Sequence, residues 1–344
     1  MQVLVAMSGG VDSSVAALLM QQAGFEVVGL NLLLSEGAEV DASLKSCCQQ
    51  LNIPLVVRDC AEAFHQRVLV ASAREYASGR TPNPCCDCNA VLKFRELFAA
   101  ADELGIEHVV TGHYVNMRMN DGVAQIVPAA DKKKDQSYFL YRLRQEDLLR
   151  CRFPLGALCK DEVRRIAQEN GLICAARPDS QDACFQIPGE CCGDTLSRLC
   201  RISGKRGRFI YQGKSVGKHN GVHRYTIGQR QGLGVALGVP AYVQKIDAAK
   251  GDIYLCTDQR ELLCDLFMVE NVVWQCGKVP SVDTPLYVRV RYRSSSAVGF
   301  YSGDAGFGVV DLDEPQRAVT PGQAAVFYDA DGVLLGGGVI SLLS

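Results

Sequence analysis

Two strings of residues carry most of the chemistry this sequence can do. The first is Ser8-Gly9-Gly10-Val11-Asp12-Ser13, which follows the apolar run Val3–Met7 and leads into the apolar-periodic stretch Ser13–Gln22. That order predicts a strand, a tight turn and a helix. Glycine lets the backbone turn sharply and approach a ligand closely. The first N–H groups of a helix have no intrahelical partner and attract anions, phosphate above all. The turn therefore reads as a phosphate cradle. It lacks the lysine of the G-x-x-x-x-G-K-[ST] loop and the spacing of G-x-G-x-x-G, so on physical grounds alone a turn that binds nothing stays open beside it.

The second string is Thr81-Pro82-Asn83-Pro84-Cys85-Cys86-Asp87-Cys88-Asn89. Its prolines stiffen the backbone and push the residues before them out of the helical region. It reads as a rigid turn ahead of a helix from about Val91, with Cys88 near the helix N-terminus, where a thiolate is favoured. Cys85 and Cys88 form a Cys-x-x-Cys pair, which suits a redox couple, half of a metal site, or a nucleophile with a bystander. Cys184 lies almost a hundred residues on, in the polar string Pro178–Phe185. No second Cys-x-x-Cys completes a four-cysteine zinc site, but a site of Cys85, Cys88 and Cys184 with one open position remains. Of the 16 cysteines, Cys47, Cys60, Cys151, Cys159, Cys174, Cys200, Cys256, Cys264 and Cys276 read as buried thiols acting as small hydrophobes. His113 follows a predicted strand and reads as a hydrogen-bonding residue rather than a metal ligand.

The elements that must position these residues change along the chain. Predicted strands Val3–Met7, Val27–Leu34, Leu55–Arg58 and Ile106–Thr111 alternate with helices Ser13–Gln22 and Val91–Leu104. Alternation argues a parallel α/β sheet with ligands at the strands' carboxyl ends. After about residue 200, helical periodicity fades and short runs such as Ala241–Ile246, Gly251–Cys256, Leu286–Tyr292, Ala324–Tyr328 and Val333–Ile340 argue all-β structure. Asp331-Gly332 between two of them is a hairpin signal. A length of 344 residues suits two or three domains.

Apolar content of 48% and charged content of 22% are those of a soluble globular protein. No apolar run reaches the roughly 18 residues that span a bilayer, and the chain opens on a core strand with no signal peptide. The expected compartment is the cytoplasm. Net charge is −2, yet Arg198, Arg201, Lys205, Arg206, Arg208, Lys214, Lys218, Arg224 and Arg230 fall in a window without Asp or Glu. Such a window is the footprint of a polyanion partner.

The string Ser8–Ser13 resembles the SGGxDS signature of the PP-loop ATP pyrophosphatases, which cleave ATP to AMP and pyrophosphate while adenylating a substrate. With Gly79–Pro84, Cys88-Asn89, Lys93-Phe94, Thr111–Tyr114, Asp131, Lys134–Phe139, Ser180–Phe185, Tyr225–Gly234, Arg291–Arg293 and Arg317–Gln323, nearly the whole chain resembles the bacterial-type tRNA-specific 2-thiouridylases. The resemblance implies an N-terminal PP-loop parallel-sheet domain (1–200), a small central β-rich domain that binds tRNA (201–263) and a C-terminal β-barrel (264–344). It implies ATP-dependent 2-thiolation of the wobble uridine of tRNAs for Lys, Glu and Gln, with Mg2+.

By the same resemblance, Cys184 carries a persulfide and Cys88 is the nucleophile. ATP is bound by Ala6, Met7, Ser8, Gly9, Gly10, Val11, Asp12, Ser13, Leu32 and Gly112. tRNA is touched by Asn83, Pro84, Cys85, His113, Lys134, Asp135, Gln136, Arg291, Tyr292 and Gln323. The implied partners are tRNA and a sulfur-donor protein, a desulfurase or a relay carrier. Two features depart from the family pattern: Cys85 stands where an Asp is common, and the stretch from Leu34 to Gln49 is short. The first keeps open a [4Fe–4S] cluster on Cys85, Cys88 and Cys184. Two rivals of other classes are a PP-loop synthetase or amidotransferase acting on a small molecule, and a non-catalytic RNA-binding protein.

Overall fold

The computed structural model describes residues 1–179 and 182–341; Ser180 and Gln181, in the string that carries Cys184, lie outside the described residues. The central strand β1 (Gln2–Ala6) has Val3, Leu4 and Val5 fully buried, as a strand covered on both faces requires. From it the chain runs outward to β2 (Glu26–Leu33) and β3 (Leu55–Asp59), then returns on the other side of β1 as β4 (His108–Val110). Cys151–Arg152 extends that side, and all pairings are parallel. The strand order reverses between β1 and β4. In open α/β sheets, ligands bind outside the carboxyl ends at such a switch. Gly9-Gly10 leaves β1 and Thr111-Gly112-His113 leaves β4, so both open on one crevice.

The stretch after Thr81 differs from the expectation. A helix begins at Pro84, not near Val91: Pro84–Cys88 is α-helical, Asn89–Lys93 is a π-helical turn, and Phe94–Glu103 is α-helical again. The Asn83 side chain caps it, accepting the Cys86 N–H at 3.3 Å. Pro84 takes the first helical position, where its missing N–H costs no bond. The Asn-Pro pair that reads as a turn is thus a cap and a helix start. Cys85 and Cys88 lie within the helix rather than ahead of it.

A hairpin of Val115–Asn120 and Val123–Pro128, not expected from the sequence, follows β4. Its turn is Asp121-Gly122, both at positive φ, the two-residue signature of a tight hairpin. Beyond residue 200 the expected all-β texture is present. Tyr242–Asp247, Asp252–Cys256, Gly207–Tyr211 and Lys214–His219 form a four-stranded sheet in that order. Six strands, from Leu263–Trp274 to Leu334–Ser341, close into a barrel. Inside it Trp274 stacks on Phe327 at 5.2 Å and meets Tyr301 edge-on at 5.1 Å. On its outer face, Ala324, Val326, Tyr328 and Leu334 share one apolar cluster with Leu4, Leu30 and Phe94 of the first domain.

Cys47, Cys60, Cys151, Cys174 and Cys256 are buried as expected, but Cys159 and Cys276 are exposed and Cys200 and Cys264 half-buried. Cys159 is the cap residue of the helix Lys160–Glu169, a position that faces outward at a helix end. Among the described residues no helix is long and apolar enough to cross a membrane.

Candidate active site

The glycine turn leaves the start of the helix that follows it uncapped by a side chain. Gly10 caps helix α1 (Val11–Gln22) without a side chain to offer. The first intrahelical bond runs from the Ser14 N–H to the Gly10 carbonyl at 3.3 Å, so the N–H groups of Val11, Asp12 and Ser13 have no partner within the helix. The hydroxyls of Ser13 and Ser14 donate to the same carbonyl at 3.1 and 3.0 Å, and Ser13 Oγ accepts the Ser8 N–H at 3.2 Å. Gly9 sits at φ +78°, in the left-handed region. Gly112 packs so closely that a Cβ there would stand 3.0 Å from the Asp12 carbonyl carbon and 3.1 Å from the Ser13 nitrogen. A side chain at 112 would push the β4 loop and this turn apart by a few tenths of an ångström.

In front of the cradle lies a cavity of about 480 Å³. Ala6, Met7, Leu30 and Leu32 supply an apolar wall; Ser8, Asp12, Ser13, Gly112, His113 and Gln136 supply polar ones; Lys93 and Cys184 complete the rim. Thr111 Oγ1 and His113 Nδ1 lie 2.8 Å apart, which fixes the ring. The ring stacks on Phe94 at 5.9 Å. Desolvation, helped by the Lys93 ammonium, pushes the His113 pKa down to about 3, so the ring is neutral near pH 7. Gln136 Oε1 accepts the Tyr114 N–H at 2.9 Å.

Cys184 is exposed and lines this cavity, whereas Cys88 is buried at 4% exposure. Burial pushes the Cys88 thiol up to about 12, against the pull of Lys93 and with the nearby Cys184 and Cys85 thiols adding to the rise. The expectation of a favoured Cys88 thiolate is therefore overturned: desolvation outweighs the helix end. Among the described residues no three Cys, His, Asp or Glu side chains converge closely enough to hold a metal ion. Cys85, Cys88 and Cys184 form no such group around a single ion.

Residues 1–188 match the family model described as "tRNA methyl transferase HUP domain", residues 199–257 the "tRNA methyl transferase PRC-barrel domain" and residues 264–340 the "Aminomethyltransferase beta-barrel domain". A protein of Roseiflexus sp. (strain RS-1) called "tRNA-specific 2-thiouridylase MnmA" is 40% identical over 375 residues, covering 99% of this chain and 99% of its own. One of the same name from Syntrophotalea carbinolica is 41% identical over 345 residues, covering 97% of each. The chain belongs to the tRNA-specific 2-thiouridylase family.

The positions that the 2-thiouridylase pattern links to tRNA fall into two groups here. His113 and Gln136 face the cavity, and Lys134 lies near it, paired with Asp179 at 2.9 Å. Cys85 is exposed on the helix beside the cavity. The others hold the fold together. Asn83 caps the cysteine helix, and Pro84 is its buried first residue. The buried Asp135 carboxylate accepts from the Ala129 N–H and Ser137 Oγ at 3.1 and 2.7 Å. Arg291 Nη2 donates to the carbonyls of Ile227 and Ala318 and to Thr320 Oγ1, tying the central domain to the barrel. Tyr292 packs on Phe139 at 4.5 Å. Gln323 Nε2 donates to the carbonyls of Thr81 and Pro82 at 2.8 and 3.2 Å, so the barrel grips the lead-in to the cysteine helix.

All nine cations of the acid-free window are exposed. Three pair with acids from outside it: Arg198 with Glu190, Arg208 with Asp252, and Arg224 with Asp194. Sequence reasoning missed Lys160, Tyr114 and Asp179. Lys160 Nζ and Tyr114 Oη both donate to Asp12 Oδ1 at 2.7 Å. Nothing in a polar helix start marks Lys160 for burial; contact between its helix and α1 decides it.

Proposed function

We propose that this protein uses ATP to activate the C2 oxygen of the wobble uridine of a tRNA and replaces that oxygen with sulfur carried on Cys184. The observation that carries the reading is a single cavity whose wall holds the cradle residues Ser8, Asp12 and Ser13 together with the exposed thiol of Cys184. Membership of the 2-thiouridylase family supports the tRNA thiolation itself.

The chemistry follows from what the carbonyl lacks. A uridine C2 oxygen is a poor leaving group. Attack of that oxygen on the α-phosphate of ATP releases pyrophosphate and makes AMP the leaving group. The free N–H groups of Val11, Asp12 and Ser13 would hold the phosphates, with Mg2+ arriving as the nucleotide's counter-ion. The base must leave its stack to enter such a cavity; the neutral, stacked His113 and Gln136 would receive it.

An exposed Cys184 suits loading by a sulfur-donor protein, which leaves a persulfide. Cys88 Sγ would attack Cys184 Sγ, expelling the outer sulfur as hydrosulfide and leaving a Cys88–Cys184 disulfide. Hydrosulfide adds to C2, and AMP departs. A thiol reductant returns two electrons to reopen the disulfide. Because Cys88 starts as a protonated thiol, Lys93 is the charge available to favour its thiolate as the sulfurs approach.

The deciding experiment is pyrophosphate release by the purified protein with and without tRNA. Release should require tRNA; release in its absence points to a small-molecule synthetase instead. Cys184→Ala should lose 2-thiouridine formation, read by mass spectrometry of the tRNA, while tRNA-dependent pyrophosphate release continues. Thiolation retained in that variant removes Cys184 as the carrier.

A further inference from the structure

The Cys-x-x-Cys pair holds one thiol that sulfur release by Cys88 from Cys184 does not use. Cys85 and Cys88 lie one turn apart in the helix Pro84–Cys88. Residues three apart share a helix face. Their Cα atoms stand about 5 Å apart in an α-helix, inside the roughly 4.4–6.8 Å that a disulfide spans. Cys86, between them, turns the other way. It is buried in the apolar cluster of Leu4 and Phe94, with its Sγ 3.9 Å from the Tyr138 carbonyl oxygen. Cys88 packs instead with Phe64 and Phe185, whose rings are 6.3 Å apart. Phe185 directly follows Cys184 in the chain. Burial raises the Cys85 thiol, the Lys93 ammonium opposes the rise, and the nearby Cys184 and Asp87 add to it. The two thiols of the pair differ in access: Cys88 is 4% exposed and Cys85 is open to solvent. Thiol–disulfide exchange needs access to the sulfur under attack. Once in a disulfide, Cys88 Sγ is poorly placed for a reductant in solution and well placed for a thiol one helical turn away.

We propose that Cys85 is a second resolving thiol: it attacks Cys88 Sγ of the Cys88–Cys184 disulfide, forms a Cys85–Cys88 disulfide and expels Cys184. The proposal rests on the reading that Cys88 releases sulfur from a persulfide on Cys184. The exchange breaks one S–S bond and makes one, with no net oxidation or reduction. The Cys85 proton passes to the departing Cys184 thiolate. Cys184 is then a free thiol, ready for the next sulfur before any reductant acts. A thiol reductant attacks the exposed Cys85 Sγ and expels Cys88 as a thiol. A second thiol of the reductant resolves the mixed disulfide, and the reductant leaves oxidised by two electrons.

The test is which disulfide a single turnover leaves. The full-length protein is loaded with persulfide sulfur by a cysteine desulfurase and cysteine, freed of donor, and given tRNA and MgATP without reductant. Acid quenching, alkylation with N-ethylmaleimide and peptide mass spectrometry then read the thiols. Wild type should end with Cys85 and Cys88 joined within the peptide Thr81–Lys93 and with Cys86 and Cys184 alkylated. Cys85→Ser should end with Cys88 joined to Cys184. A neighbouring thiol acts at an effective concentration of about 1 mM or more, so at about 0.1 mM glutathione the steady rate of 2-thiouridine formation should fall roughly tenfold in Cys85→Ser. Excess dithiothreitol should close most of that gap. A wild-type protein that ends with Cys88 joined to Cys184 and Cys85 alkylated overturns the proposal. So does a Cys85→Ser rate equal to wild type at limiting glutathione, or a deficit that dithiothreitol leaves unchanged. Wild type that thiolates tRNA and forms no disulfide at all fails the underlying reading of Cys88 and Cys184 instead.

Discussion

At the scale of single residues, the site is defined by groups whose ordinary chemistry is shifted by burial. His113 is held neutral, its pKa pushed from 6.5 to about 3. The unfolded chain binds a proton there as pH falls below about 6.5 and the folded chain does not, so this residue costs stability on acidification. The loss starts near the unfolded value and ends near the folded one, at up to about 1.4 kcal/mol per pH unit. Urea unfolding at pH 7 and at about pH 4.5 should show His113→Gln losing less stability than wild type over that interval; an equal loss would place the ring in solvent. Sequence showed that Cys88, Cys184 and His113 were worth naming, because residue type and polar neighbours are visible in a string. It did not show depth. The Cys88 thiol pushed up to about 12 and the burial of Lys160 both follow from neighbours remote in sequence.

At the scale of elements, the turn after β1 and the loop after β4 form the site by touching. The strand-turn-helix at residues 2–22 was legible because apolar period, glycines and a helix start coincide there. The segment 81–93 was only partly legible: Asn83-Pro84 announces a helix start as readily as a turn, and the π-helical turn at Asn89–Lys93 has no simple sequence signal. Asn89 Nδ2 donates to the Phe139 carbonyl at 3.3 Å, a contact set by a partner fifty residues away. The contact between loops makes a sharp prediction. In Gly112→Ala the new methyl meets backbone of Asp12 and Ser13 at 3.0–3.2 Å, tighter than real contacts allow without movement. The KM for ATP in pyrophosphate release should rise by roughly tenfold, as expected when a positioned backbone is displaced by a fraction of an ångström, with little change in the barrel's unfolding. An unchanged KM would mean the cradle tolerates the shift.

At the scale of the whole molecule, three β-rich or α/β units meet around the cysteine helix, and their linkage is ionic and hydrogen-bonded as well as apolar. Arg80 pairs with both Glu75 and Glu270, joining the first domain to the barrel beside the Gln323 grip. The division into an α/β part and an all-β part was legible as a change of texture near residue 200, and the three-part architecture followed only from the family resemblance. The joints to the barrel were not, since Arg80 and Glu270 stand 190 positions apart and Thr81 and Gln323 stand 242 apart. Most of the exposed cations of the central domain's acid-free window have no acid in an ion pair among the described residues. Replacing Lys205, Arg206, Lys214 and Lys218 with Ala should weaken tRNA binding and reduce the slope of log affinity against log salt by roughly one for each phosphate no longer neutralised. An unchanged slope would show that this face meets only solvent. Arg208 is a poor choice for that experiment, because its removal leaves the buried Asp252 carboxylate without its cation.

The apolar cluster shared by Leu4, Leu30 and Phe94 with Ala324, Val326, Tyr328 and Leu334 bears on how the chain is made. A ribosome delivers the first domain well before the four barrel residues that complete its apolar cluster. Until then the part of the cluster that meets the barrel presents unburied apolar surface, and long-range closures of this kind are slow and prone to aggregation. The nascent enzyme is therefore an expected client of chaperones. Loss of its last strands should affect yield before it affects any step of the chemistry.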